Sequence, residues 1–509
     1  MALIYKASAS IKFEVTMLKI IFRIAMATLL VTNLALAQRI RTEAMGGLKY
    51  SVLDKDLSLS PFDFGGNPAW MFVDESETFL RITPSYGNTW GNYQRKFDPE
   101  GELNLGASFH GVKKLGEKGT FSGFTSYDYQ NRRNNYQTLM KDTYSGEGFR
   151  LTDGTKSDFR YMGPRVVLMY SLEPVKDLYT GGSVTYHLLD GLKEKFSYAK
   201  TIFRDTEINL GLAYRISDTF VFGANVTYFD SQEAIESEDV NLLDVELYYY
   251  RGDEYFVSKR SQSMTGKIRK QGITLSSQLF WDDGERFSFG SQINYTPSNS
   301  KILKPYTSTS QTSATQSFDE VEDSYTDFTF LDVQCKTQYK ISDEIIFGAY
   351  AGYINNKSWS KISLKELLMW EWKTNEKVLG LGASYQITEP LLLAFEYEFS
   401  NSSADSSKFI DNRMNEVTTN DHELRIGAEY KLTDEVLFRG GVKFGTKQYD
   451  LVFGGNNCKY YRISGGLSFP LFETLTIETN LQYSRIDTGN TNFSKNYLFG
   501  SVGLTLNTF

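Results

Sequence analysis

One five-residue pattern occurs four times in this chain: Tyr, any residue, Ile or Leu, Ser or Thr, then Asp or Glu. The copies are Tyr214–Asp218, Tyr339–Asp343, Tyr385–Glu389 and Tyr430–Asp434. Each joins two runs in which apolar and polar residues alternate. Before the first copy stand Ile208, Leu210, Leu212 and Tyr214, separated by Asn209, Gly211 and Ala213. After it come Phe220, Phe222, Ala224, Val226 and Tyr228, separated by Gly223, Asn225 and Thr227. A period of two describes strands with one apolar and one polar face. An aromatic residue returning at the turn end is the pattern of one rim of a membrane barrel.

Alternating runs from Thr78 onward number about eighteen, with fourteen to eighteen as the admitted range. The clearest are 204–216, 219–230, 270–281, 285–296, 328–341, 344–354, 377–387, 391–400, 421–432, 435–445, 459–469, 474–486 and 496–508. Short connections (Ser217–Thr219, Ser342–Glu344, Thr388–Pro390, Thr433–Glu435) alternate with long polar ones at Asn134–Lys156, Ser231–Arg269, Pro297–Thr326, Asn355–Glu376 and Asn401–Asn420. Outer-membrane barrels have short periplasmic turns and long outer loops. The fold expected is therefore all-β, a transmembrane antiparallel up-and-down β-barrel over 78–509. Tyr214, Tyr339, Tyr385 and Tyr430 would form its periplasmic aromatic rim.

Charge placement follows the same phase. Leu391, Leu393, Phe395, Tyr397 and Phe399 alternate with Ala394, Glu396 and Glu398, and the next two runs place Arg425, Glu429, Arg439 and Lys443 on the equivalent side. A charge on the lipid face would cost about 2–4 kcal/mol at mid-depth. These six residues are therefore expected to line the lumen as a charged wall. A turn centred on Asp434 would set Glu429 opposite Arg439 as a favourable cross-strand pair. A soluble two-sheet sandwich also alternates, but does not account for long strands, aromatic turn ends and an export signal together.

Met17–Gln38 carries Lys19 and Arg23, an apolar stretch from Ile24 to Leu36, and Ala35-Leu36-Ala37 before Gln38. This is the form of a secretory signal with a small–x–small cleavage site, so residues 1–37 are expected to be removed, with Met17 an alternative start. No later run reaches the roughly 18 apolar residues of a membrane helix. The mean hydropathy of -0.36 does not argue against a barrel, because half the wall faces water. Aromatics at 15% with only 10 prolines suit many strands with aromatic rims. A net charge of -8 and pI near 5.3 argue against nucleic acid as a partner. Cys335, in phase with Leu331, Val333 and Tyr339, should face outward, while Cys458 lies near a loop end. His110, His187 and His422 show no metal-ligand spacing.

Between Gln38 and Glu77 alternation is poor, and Gly65-Gly66 leads into Asn67-Pro68-Ala69-Trp70. An Asn-Pro-Ala element just before the first strand resembles the hatch of the FadL-like family, outer-membrane carriers of long-chain fatty acids and other hydrophobic molecules. The resemblance implies that 38–77 folds inside the barrel as a plug, with Asn67, Pro68, Ala69 and Trp70 as its hatch. Asn-Pro also commonly starts a helix or turn. Two features depart from the family: it has fourteen strands, and its ligand path is apolar. The lumenal positions here favour Ser276, Gln278, Ser288, Gln292, Glu478, Asn480 and Gln482. As a whole the chain also looks like uncharacterised outer-membrane barrel families of Gram-negative bacteria.

Other segments offer competing readings. Glu233, Glu236, Glu238 and Asp239 with Tyr248–Asp253 read as a hairpin extending the wall, or as a partner or Ca²⁺ site. Asp319–Asp323 reads as a mobile loop. Leu367–Trp372 reads as a strand start at the outer aromatic rim, or as a lid. Lumenal His187 lacks a nucleophile or carboxylate partner, no motif for a triad, phosphate loop or zinc site appears, and neither enzyme activity nor a cofactor is expected. The function expected is a plugged or gated channel passing a small molecule across the outer membrane of a Gram-negative bacterium. The alternative is a non-transporting anchor or a subunit of a secretion or uptake assembly. Its partners would be membrane lipid, the barrel-assembly machinery and a small solute.

Overall fold

The computed structural model describes residues 42–52, 66–73, 78–95, 97–135, 138–142, 149–153, 156–194, 199–237, 247–251, 255–259, 264–306, 319–363, 367–409, 412–433, 435–448, 457–488 and 493–506. In chain order its strands are β1 (Phe79–Gly91), β2 (Gly101–Lys114), β3 (Gly119–Asn135), β4 (Phe149–Asp153), β5 (Ser157–Val175), β6 (Leu178–Lys193), β7 (Lys200–Ser217), β8 (Phe220–Ser237), β9 (Leu247–Arg251), β10 (Tyr255–Lys259) and β11 (Met264–Asp282). They continue with β12 (Phe287–Tyr306), β13 (Asp319–Lys340), β14 (Ile345–Ile362), β15 (Leu367–Thr388), β16 (Leu391–Lys408), β17 (Arg413–Lys431), β18 (Leu437–Gln448), β19 (Asn457–Phe472), β20 (Leu475–Thr488) and β21 (Ser494–Leu506).

All but β4, β9 and β10 form one 18-stranded antiparallel sheet. It closes on itself because β1 pairs with β2 on one side and with β21 on the other. Closure leaves no edge whose N–H and C=O groups would meet lipid, which is the condition for crossing a bilayer with strands. Among the described residues no helix is long and apolar enough to cross a membrane. The two faces separate residue by residue. Along the lower half of β7, exposed Ile208, Leu210, Leu212 and Tyr214 alternate with buried Asn209, Gly211 and Ala213. The exposed series faces lipid and the buried series faces the lumen.

The recurring turn pattern acquires a mechanism here. In two of the four copies its Ser or Thr organises the turn by accepting backbone N–H groups. Thr433 Oγ1 accepts from Glu435 N at 3.3 Å and Val436 N at 3.1 Å, and Ser342 Oγ accepts from Glu344 N at 3.3 Å. Such side-chain-capped turns close a hairpin without help from distant residues. Tyr214, Tyr339, Tyr385 and Tyr430 all project outward at this short-turn end, each more than 40% exposed.

The long connections depart from expectation. Pairing continues well past the lipid-facing band: Ser237 pairs with Met264, Tyr306 with Asp319, Ile362 with Leu367, and Lys408 with Arg413. Much of Pro297–Thr326, Asn355–Glu376 and Asn401–Asn420, and both ends of Ser231–Arg269, are therefore wall rather than loop. Asp319–Asp323 opens β13 instead of forming a mobile loop. Outside the bilayer neither face must be apolar, so alternation stops, while strand pairing still satisfies the backbone. β9 pairs with β10 as a hairpin and with β4, making a separate three-stranded sheet instead of lengthening the wall.

Neither cysteine forms a disulfide. Cys335 lies on the outward phase of β13, whereas Cys458, at the start of β19, is fully buried on the inner face against Tyr93 and Ile486. The export segment 1–37, Glu238, Asp239, Gly252, Asp253 and Asp434 lie outside the described residues.

Candidate functional site: two segments inside the barrel

Residues 42–52 lie against the inner face of β13–β20. Gly46 and Gly47 both take positive φ (84° and 75°), which turns the chain so that its backbone lies along the wall. The wall is recessed to receive it. A Cβ on Gly348 would stand 1.9 Å from Tyr50 O, one on Gly441 2.2 Å from Gly46 N, and one on Gly427 2.5 Å from Met45 O. Only glycine allows this approach.

The bonds across this contact centre on Glu396 of β16, which is fully buried. Its carboxylate accepts N–H groups from three consecutive residues, Lys49 at 2.9 Å, Tyr50 at 2.8 Å and Ser51 at 2.8 Å, and the Ser51 hydroxyl at 2.8 Å. Successive amides converging on one anion form a nest. Behind it Arg425, also fully buried, reaches Glu396 at 3.1 Å and Glu398 at 3.1 Å, and pairs with Glu423. Lys49 Nζ adds a contact to Glu398 at 3.0 Å, and Glu43 bonds Arg462 at 2.9 Å and Gln482 at 3.1 Å. A buried guanidinium is tolerable only with several paired carboxylates.

The charges continue around the wall. Glu429 stands opposite Arg439 in the β17–β18 ladder and bonds it at 2.7 Å. Arg439 reaches Glu478 at 3.4 Å, and Glu478 reaches Arg81 at 2.7 Å. Lys443 pairs with Glu423 at 2.7 Å. All six charged residues singled out in the sequence lie on this inner face. Arg81, Glu423 and Glu478 complete the network; their inward phase is readable from alternation, but their partnership is not.

Residues 66–73 lie against the opposite arc, β5–β11. Asn67 caps a one-turn helix: its Oδ1 accepts Ala69 N at 3.0 Å, Pro68 supplies the first helical position, and Trp70–Val73 follows. The Asn67 Nδ2 donates to Gln278 Oε1 at 3.0 Å and Leu212 O at 3.1 Å. Gln278 donates to Asn225 at 2.6 Å, Asn225 to Asn209 at 3.0 Å, and Asn209 back to Gly66 O at 2.8 Å. Trp70 is fully buried with Ala69, Tyr179, Ala213 and Val221. Glycines again make room: a Cβ on Gly211 would stand 2.0 Å from Asn67 Oδ1, and one on Gly223 2.6 Å from Trp70. Asn67-Pro68 thus starts a helical turn and also sits within the barrel.

The long-connection half of the lumen is different. Leu139 and Met140 fold inward onto Phe159, Tyr161, Ile235, Ile268, Ile302, Ile362, Trp370 and Trp372, forming one buried apolar cluster. Trp370 and Trp372 do begin β15, but they face this cluster and not the outer aromatic rim. A register shift between Ser360 and Lys361, with Met369 unpaired in the β14–β15 ladder, precedes them. The lumen is therefore largely polar at the short-turn end, outside the Trp70 recess, and apolar along one arc at the other, where the polar preference read from the sequence does not extend. Glu233, read as a loop residue, is buried on the inner face of β8 and accepts Lys141 N at 2.7 Å. Arg132 holds the same segment through Met140 O at 3.3 Å and Lys141 O at 2.6 Å. Burial pushes the Lys141 ammonium down to about 8, with Arg132 adding to this and Glu102 and Glu233 opposing it.

A closed barrel with a lipid-facing band and a polar, occupied lumen is an outer-membrane β-barrel. Residues 326–445, within the span from β13 to β18, match the family described as a putative outer membrane beta-barrel porin, MtrB/PioB. Both findings place the protein in the outer membrane of a Gram-negative bacterium. No curated protein sequence matches the chain. Among solved structures it is similar to the toluene transporter TodX of P. putida (11% identity, 92% of this chain and 98% of that one, TM-score 0.35). It is also similar to a Pseudomonas aeruginosa FadL homologue (12%, 92% and 97%, TM-score 0.36) and to the copper transporter OprC (8%, 85% and 81%, TM-score 0.41). At such scores these likenesses carry no argument about solute.

Proposed function

We propose that the protein is a gated outer-membrane channel for a small molecule, closed by its own N-terminal segment. The carrying observation is the pair of glycine-floored recesses that receive 42–52 and 66–73 on opposite arcs of the wall. Around 42–52 the bonds are hydrogen bonds and ion pairs, which water can replace when the segment leaves, and around 66–73 they are neutral hydrogen bonds beside the packed Trp70. In this reading the short turns and their tyrosines lie at the periplasmic interface, 38–77 is the plug, and the extended wall faces outward. The apolar arc near the outer mouth suits a solute with apolar surface. The test is solute uptake into proteoliposomes by the full chain and by a chain lacking residues 38–77. Uptake that rises without the segment supports the gate; no uptake by either form defeats passage.

A second reading, a non-transporting anchor, is favoured by one observation. The wall extends far beyond the band, with β13 and β15 each 22 residues long. Absence of uptake by either form would support it.

A further inference from the structure

Above the lipid-facing band the outer wall is not uniform. Outward positions on β14 run through Phe347, Ala349, Ala351 and Tyr353, then change to Asn355, Lys357, Trp359 and Lys361. On β15 they run through Tyr385, Ala383, Leu381 and Leu379, then change to Lys377, Asn375, Lys373 and Glu371. Lys357 and Lys373 are direct cross-strand neighbours, and Lys377 stands opposite Tyr353. Like charges placed opposite one another are destabilising unless something neutralises them.

The protein supplies little neutralisation. Lys357, Lys373 and Lys377 form no ion pair with any described residue. Asp405 lies opposite Lys373 on β16, and Glu371 and Asp327 lie opposite Trp359, without closing onto these lysines. Aromatic rings sit at the same level: Trp359 packs on Tyr325 at 5.4 Å, and Lys361 lies over Tyr325 at 5.8 Å. The patch is local. Following the same rows onto β16 and β17 gives Asn401 and Asn420, then Ser403 and Thr418, then Asp405 and Glu416, with no cation.

We propose that this outward face of β14 and β15 seats the phosphate groups of a phosphorylated glycolipid in the outer leaflet. The inference rests on the orientation proposed above, with the extended wall outside, but not on passage through the lumen. The patch is continuous with the lipid-facing band, so an acyl chain below and a phosphate above can engage it together. Tyr353, the last outward residue of the apolar series on β14, suits the depth where aromatic side chains meet headgroups, and lysine stems reach upward from the apolar surface. A phosphate between Lys357 and Lys373 takes charge-assisted hydrogen bonds from both and removes their repulsion.

The experiment uses the full chain in detergent and measures retention of lipopolysaccharide, and separately of phosphatidylglycerol, by native mass spectrometry. The Lys357→Gln/Lys373→Gln variant is expected to bind lipopolysaccharide about twenty-five-fold more weakly, at roughly fivefold per lysine near a charged surface. A Thr418→Gln/Asn420→Gln control on β17 should bind as the parent does, and all forms should keep the parent's heat-modifiable gel mobility, which reports the folded barrel. Unchanged lipopolysaccharide binding by the double-lysine variant overturns the proposal. So does an equal loss for phosphatidylglycerol, which would mark a generic anionic surface. Failure of solute uptake leaves this result standing, so the two readings fail separately.

Discussion

The two segments inside the barrel are held by different forces. Residues 42–52 are fixed by charge: one carboxylate gathers three amides, and Arg425 ties it to Glu398 and Glu423. Residues 66–73 are fixed by fit: Trp70 fills an apolar recess, and Asn67 closes a ring of neutral amides. Both rest on glycine, because backbone-to-wall contact leaves no room for a Cβ. The difference indicates which perturbation loosens which end. The charged anchor answers to loss of a single ion, and the packed anchor to loss of volume.

The largest effect is expected from Glu396→Ala. It leaves Arg425 with one fewer counter-charge and strands the amides of 49–51, costing about 3–5 kcal/mol. Proteolysis near Lys49 should rise, while cleavage near Trp70 stays at the parental level. Equal exposure of both segments would merge the two anchors into one unit. Trp70→Ala should cost about 3 kcal/mol through the cavity it leaves, reversing that pattern of cleavage. Combining the two substitutions sharpens the comparison, since independent anchors add to within about 0.5 kcal/mol.

Asn67→Ala should cost about 1–3 kcal/mol, because Gln278 Oε1 loses its donor in a buried site. Denaturant titration of the folded barrel provides the measurement, and a neutral result would mean that Trp70 alone holds the second segment. The smallest effect belongs to Lys49→Gln. Its ammonium is about half exposed (52%), so the pair with Glu398 contributes at most about 1 kcal/mol and weakens with salt.

The barrel was legible because lipid imposes a rule on every second residue. Leu393, Phe395 and Tyr397 against Ala394, Glu396 and Glu398 report sidedness without reference to any other strand. The same rule explains the failure at Ser231–Arg269 and Asn355–Glu376: above the bilayer it lapses, and continuing strands resemble loops. Trp370 and Trp372 hold the inward phase of Gly380 and Gly382 without a break, but the polar run 373–376 between them hides that continuity in the sequence. Asn67-Pro68-Ala69-Trp70 stood out by composition. Which wall residues receive it depends on Gly181, Gly211 and Gly223, which are distant in sequence and unremarkable in a strand. The Glu396 nest was invisible because its donors are backbone groups more than 340 residues away in sequence.

The central claim, that the N-terminal segment closes this barrel, is tested most directly by single-channel current in planar bilayers. The parent chain is compared with Gly348→Val and Gly211→Val, each of which drives a side chain into the space its segment occupies. The account predicts little steady current from the parent and a clear increase from each variant, greatest when both are combined. Equal current from all forms, whether high or absent, would contradict it.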